Sequence, residues 1–325
     1  MPAMDADARV RFRVVANEDG MMLRQLLCRR FADLGAQAAA ALIKAGGVYM
    51  GTVRVRIPSV RVVQGERITV YRRAAAAPPI APDELRILRR GPDFVVVDKP
   101  AGAPASSTRA SSQGTVAQAL IHQLGEAGIL RPYVGPVRPL PPEAGGLVLF
   151  TFRGQDALSI HQRFLDAAIE ATDLLWVRGE APATMRCEEP LLLTRSGRLK
   201  VAEPGVFGAF SATTSFRRLA LRGSGDDAAS LLEATSESGA GGQALAHAAA
   251  LGFPPLHAPG TDGDPYRDDD GDGGELLFAR VGLRFRHPES GEAIAIRLPD
   301  PPWAAPSGAD ADHPGGATGC EVTGE

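Results

Sequence analysis

The chain has 325 residues, 44% hydrophobic and 22% charged, with a formal net charge of -3. That is the profile of a globular protein with room for one large and one small domain. No apolar run approaches the roughly 18–20 residues a spanning helix needs, and the polar start Met1–Arg9 holds no signal-peptide core, so a cytoplasmic protein is expected.

The net charge hides an asymmetry. Residues 1–73 hold 13 Lys and Arg against 6 Asp and Glu, and the remainder holds 22 against 32. A basic head on an acidic body places the grip on any polyanion in the N-terminal part. Cys28, Cys187 and Cys320 lie far apart and form no C-x-x-C pair, against both a disulfide framework and a zinc site.

In chain order, residues 10–73 read as a compact module. Met22–Phe31 carries Leu23, Leu26, Leu27 and Phe31 at helical spacing. Ala36–Ala45 is an Ala-rich helix closed by Gly46-Gly47. Short strands are expected at Val48–Met50, Val53–Val55 and Arg67–Tyr71. Two helices followed by a small sheet resemble the alpha-L RNA-binding module, with Arg29, Arg30, Lys44, Arg54, Arg56 and Arg61 as the RNA contacts the basic head suggests.

Residues 74–82 (A-A-A-A-P-P-I-A-P) form a linker by composition. A main domain is expected from 83 to 301, opening on a turn at Gly91-Pro92-Asp93 and the buried strand Phe94–Val97. Residues 302–325 are too poor in core side chains to fold, so a disordered tail is expected. The acidic run Asp268–Gly273 begins like a calcium loop, but Ala279 stands where the twelfth-position Glu is needed. The six histidines show no H-x-x-x-H or H-E-x-x-H spacing, so no metal is expected.

Within the main domain, six blocks stand in order: F-V-V-V-D-K-P-A-G from Phe94, G-T-V-A-Q-A-L-I-H-Q-L from Gly114, V-R-P-L-P-P-E-A-G-G-L from Val137, S-I-H-Q-R-F-L-D in the helix expected over 156–168, L-W-V-R-G ending at Gly179, and G-L-R-F-R-H-P-E-S-G-E from Gly282. Together they resemble the RluA-type pseudouridine synthases. The resemblance implies an α+β fold, a small alpha-L RNA-binding module followed by a long, mixed, mostly antiparallel sheet flanked by helices. It also implies an RNA partner, ribosomal or transfer RNA, no cofactor, no metal, no membrane and a monomer.

In that family an Asp attacks a uridine flipped out of the RNA, an Arg beside it holds the opened stack, and a Tyr packs on the base. Here the family's V-H-R-L-D frame reads Val137-Arg138-Pro139-Leu140-Pro141, so the nucleophile position holds Pro141, and the Tyr position holds Asp173. The family's T-G-R-T-H-Q-I-R-V-H segment reads Ser238 to His247, keeping Gly239, Gln243 and His247 and losing both arginines to Ala240 and Leu245. A proline side chain is neither nucleophile nor base, and losing a covalent nucleophile commonly costs on the order of 10⁴–10⁶ in turnover. The expected function is an inactive or impaired family member acting as an RNA-binding factor. Two alternatives remain: an active isomerase using a displaced carboxylate, Glu143 or Asp173, and a scaffold that binds protein without RNA affinity.

Overall fold

The computed structural model describes residues 9–71, 80, 82–108, 111–129, 133–153, 157–194, 198–257 and 276–305. The acidic run at 268–273, most of the segment 74–82, Cys320 and residues 306–325 lie outside the described residues.

The N-terminal part folds around its own apolar cluster. Strand β1 (Val10–Arg13) precedes helices α1 (Leu23–Arg30) and α2 (Ala36–Lys44), and β2 (Val48–Met50), β3 (Val53–Val55) and β4 (Arg67–Val70) follow. The four strands form one sheet in the order β1-β4-β2-β3, so the first strand pairs with the last. The sequence reading had no strand at Val10–Arg13, because its V-R-F-R alternation is short and half polar. Pairing with β4 is what fixes it. Leu23, Leu26 and Leu27 of α1 and Leu42 and Ile43 of α2 are buried against Val48, Ile68 and Val70, each large side chain contributing about 1.5–3 kcal/mol.

The remainder is built on one ten-stranded sheet. Its strands are β5 (Arg86–Arg90), β6 (Phe94–Lys99), β7 (Tyr133–Val137), β8 (Gly145–Arg153), β9 (Ile169–Arg178) and β10 (Thr184–Cys187), then β13 (Thr214–Arg222), β14 (Ala229–Ser236), β15 (Phe278–Arg286) and β16 (Ala293–Arg297). Between β10 and β13, β11 (Leu191–Leu193) and β12 (Leu199–Val201) form a separate hairpin. The main path runs β10-β13-β14-β9-β15-β8-β6-β5, with β7 added to β8 and β16 to β15. All pairs are antiparallel except β15 with β8, which meet at Ala279–Gly145 and Arg280–Gly146. The fold is thus α+β with a long mixed sheet.

Both faces of this sheet are covered. Val95, Val97, Val148, Phe150 and Leu175 pack under α3 (Val116–Glu126) and α5 (Gln243–Ala250). Phe94, Val96, Leu147, Leu149 and Ile169 pack with Ile160 and Phe164 of α4 (Ala157–Asp166). Double burial explains why Phe94–Val97 reads as an unbroken apolar run. Helix α3 starts where the Thr115 hydroxyl accepts from the Gln118 amide at 3.2 Å.

One expectation is corrected at the C-terminal end. Residues 302–305 are ordered, with a 3-10 turn at Pro302–Ala304, and Trp303 packs beside Trp176 and Leu277. The Trp176 indole N–H donates to the Trp303 carbonyl at 3.0 Å. A single large aromatic next to an open apolar sheet face is enough to order the segment. Among the described residues no helix is long and apolar enough to cross a membrane, and no three His, Cys, Asp or Glu side chains stand together as a metal site would require.

Candidate functional site

The Val137–Phe150 block runs from the end of β7 through residues 138–144 into β8. Among the described residues Arg138 is the non-glycine residue with a positive φ, 51°, a conformation that costs on the order of 1 kcal/mol or more and persists only where its surroundings impose it. Here they do. The Arg138 guanidinium donates to the carbonyls of Leu165 at 2.7 Å, Ala167 at 3.0 Å and Ser238. Burial, with the neighbouring Arg280 charge, lowers the Arg138 pKa below the usual arginine value.

The next residues close against the Ser238–Gln243 segment. A side chain at Gly241 would put its Cβ 1.8 Å from the Pro139 carbonyl oxygen, so backbone meets backbone there and only glycine fits. Leu140 and Ala144 are buried, and the Ala144 amide donates to the Pro141 carbonyl at 3.2 Å. The Pro142 carbonyl accepts from Lys99 Nζ at 2.9 Å. Lys99 is fully buried at the end of β6 and also donates to Ala103 and Pro100. Burial pushes its pKa down to about 7, against the pull of Glu143. In this geometry Lys99 ties a strand end to the loop.

Asp173 was expected to face the base site. Its carboxylate is 1% exposed and held by Arg280, with Nε at 2.8 Å and Nη2 at 3.3 Å. The same guanidinium donates to the Gly239 carbonyl at 2.9 Å and to Ala240 at 3.4 Å. Arg138 and Arg280 therefore fasten the Ser238–Ala240 carbonyls between them. Sequence reading recorded two arginines lost from this segment and missed that Arg280 enters from another strand. Local pattern gave no signal, since alternation puts Arg280 on the side of Arg284 and Arg286, which are exposed.

Glu143 is half-buried. Its Oε1 lies 3.9 Å from an Arg198 nitrogen, too far for a hydrogen bond, and its Oε2 is buried with no hydrogen-bond partner among the described residues. Gln243 and His247 hold the frame. The Gln243 amide donates to Thr213 at 2.8 Å and to the Thr214 hydroxyl at 2.9 Å. That hydroxyl stands 2.8 Å from His247 Nδ1, and His247 Nε2 stands 3.0 Å from the Glu189 carbonyl. The chain of acceptors fixes the tautomer with the proton on Nε2, and burial lowers the His247 pKa, keeping the ring neutral.

The basic residues of the N-terminal part are differently engaged. Arg30 pairs with Glu18 at 2.6 Å and lies over the Phe12 ring. Arg54 donates to the Tyr49 hydroxyl at 2.9 Å and to the Thr108 carbonyl. Beside it the Ser112 amide donates to Ala45 at 2.8 Å, so this edge touches the loop that precedes α3. Arg61 donates to Gly20 at 2.7 Å, and Arg29 to Asn17 at 3.4 Å. Lys44 and Arg56 are exposed.

A buried Asp93–His287 pair, 2.9 Å apart, joins the turn before β6 to the turn after β15, and His287 Nδ1 accepts from the Glu289 and Ser290 amides. Two of the six ordered sequence blocks thus meet in one corner. An uncharacterized RNA pseudouridine synthase of Aquifex aeolicus (strain VF5) is 25% identical over 174 residues, 52% of this chain and 54% of that protein. Pseudouridylate synthase RPUSD2 of Mus musculus is 26% identical over 239 residues, 73% of this chain and 41% of that protein. The chain is similar to RNA pseudouridine synthases, consistent with the RluA-type resemblance of its sequence blocks. It spans about half, or less, of the length of the curated relatives it matches. No family model matches the chain. The solved human RNA Pseudouridylate Synthase Domain Containing 1 superposes with a TM-score of 0.49 at 18% identity, over 69% of this chain and 86% of that one.

Proposed function

We propose that this RluA-type chain binds RNA, ribosomal or transfer RNA, without isomerising uridine. The observation that carries the reading is Pro141 at the family's nucleophile position, beside an Asp173 whose carboxylate is already taken by Arg280. A reaction that needs a free carboxylate at the ribose-linked base has none at either position. Residues 10–73 act as the RNA-gripping module and 83–301 as the synthase-like domain of a cytoplasmic monomer. Lys44, Arg56, Arg29, Arg30 and Arg61, exposed on the module, and the partly buried Arg54 are phosphate contacts.

Tritium release from uridine-labelled ribosomal or transfer RNA tests the catalytic half, and no release above background is expected. Filter binding across a salt series tests the other half. Micromolar or tighter affinity with a steep salt slope is expected, whereas no measurable affinity at low salt would leave a protein-binding scaffold.

One observation favours a second reading. The partnerless Oε2 of Glu143 is a carboxylate oxygen two residues from Pro141. Turnover that disappears in Glu143→Gln, with Asp173→Asn as the companion variant, would make the chain an active isomerase with a displaced carboxylate.

A further inference from the structure

The segment after β12 displays an aromatic ring with nothing on it. Phe207 is 101% exposed, with Val206 at 40% and Phe210 at 37% beside it. Soluble proteins scatter single exposed apolar groups, but this one is held on a built support. Gly205 and Gly208 both adopt φ of 85°, the Val206 amide donates to Glu203, and the Ala209 amide donates to Val206. Two tight turns in succession thus fix the backbone that carries the ring. Phe210 then pairs with Leu191 through both backbone groups, each at 2.9 Å, and anchors the turn on the β11–β12 hairpin.

The support also has a charge and an address. Gly208 lies over the Leu192 side chain, and Leu192 is the cross-strand partner of Lys200, which is exposed. Directly paired residues share a face, so an ammonium stands on the same side as the turn. The other end of the hairpin carries Arg198, which faces Glu143 in the signature segment. The ring therefore belongs to an element that abuts the candidate site.

We propose that Phe207 is a stacking platform for one unpaired nucleotide of the bound RNA, with Lys200 taking the adjacent phosphate. This deepens the RNA-binding reading and rests on it. A ring open on its faces offers what a base needs, since every nucleobase has a π-face and stacking is tolerant of sequence. A protein partner would instead be met by a broad apolar patch with few charges at its centre.

The test is fluorescence anisotropy of the full chain with a labelled single-stranded oligoribonucleotide and with the same sequence as a blunt duplex. Phe207→Ala is expected to weaken single-strand binding on the order of tenfold or more, leave duplex binding unchanged and leave far-UV circular dichroism unchanged. Phe207→Trp is expected to restore it, and Lys200→Gln to flatten the salt slope. Equal single-strand affinity for wild type and Phe207→Ala, in a wild type that does bind RNA, overturns the platform and leaves the RNA reading standing. Equal loss on both RNAs also overturns it. A wild type that binds neither RNA overturns both. If Phe207→Ala converts a dimer to a monomer without touching RNA affinity, the ring is a contact between copies instead.

Discussion

Two arginine–carboxylate pairs, Arg280–Asp173 and Arg30–Glu18, share one chemistry and differ in setting. In the first both side chains are almost inaccessible, 3% and 1% exposed, at the one place where the long sheet runs parallel. In the second the arginine is 33% exposed and lies over Phe12. A sealed pair is costly to assemble and more costly to break by halves, because the survivor is a buried uncompensated charge. A half-wet pair can rehydrate. The sealed pair sits where the family resemblance places a base, and the wet one on the face expected to meet RNA. The first has become part of the interior, whereas the second leaves its guanidinium within reach of solvent and of a phosphate.

Breaking each pair by halves sharpens this contrast most. Arg280→Met is expected to lower stability by about 3–5 kcal/mol in urea denaturation, and adding Asp173→Leu should recover most of it. Arg30→Met should cost less, about 1–3 kcal/mol: it leaves Glu18 buried, 3% exposed, but water can enter where the 33% exposed arginine stood. Equal costs for the two single variants would mean that water reaches the Arg280 pair, and the description of a sealed centre would fall. The contact between Gly241 and Pro139 gives the next effect. Gly241→Ala must move the signature segment or the Ser238–Gln243 segment, at a cost of about 1–3 kcal/mol. A variant as stable as wild type would show that the two segments have room between them.

The sequence made the strands legible wherever burial was two-sided. Phe94–Val97 and the α1 leucines carry their structure in local pattern, and the order of blocks brings the sheet with it. What it could not carry was Arg280. The pairing of Arg280 with Asp173 joins residues 107 apart, through a strand register that no local spacing encodes. The same limit hid β1, whose partner lies some 57 residues later, between Val10 and Val70 at one end and Arg13 and Arg67 at the other. Trp303 was set aside for the composition around it, although its own size was the better guide. Within the candidate site, Pro141 at the family's nucleophile position was readable and the contact of Gly241 with Pro139 was not.

Lys99 offers a pH test of the same interior. Its pKa is lowered from 10.5 to about 7 by burial, so between those values the unfolded chain holds a proton that the folded chain has released. Stability therefore rises with pH across that window and is flat in this respect below it. The slope attributable to Lys99 is on the order of 1 kcal/mol per pH unit. Urea midpoints at pH 7 and pH 9 should diverge in wild type and converge in Lys99→Met. Parallel behaviour of the two would show that three carbonyl acceptors keep the ammonium charged throughout.

The wet pair supplies the smallest effect, with stability again rising with pH but in the acid range. The hydrogen bond from Arg30 is the main influence that lowers the Glu18 pKa below its usual 4.5, with burial working against it. A carboxyl depressed in the fold contributes stability above its unfolded pKa, and that contribution is lost as pH falls through the folded value. Glu18→Gln should therefore melt below wild type at pH 6, by an amount matching about 1 kcal/mol, and the gap should shrink as pH falls below the usual carboxylate range. Salt should narrow the pH 6 gap as well, because the arginine is partly solvated. The Arg280–Asp173 pair should ignore the same salt. A salt response of equal size at both sites would erase the distinction between an interior strut and a surface that stays available to a polyanion.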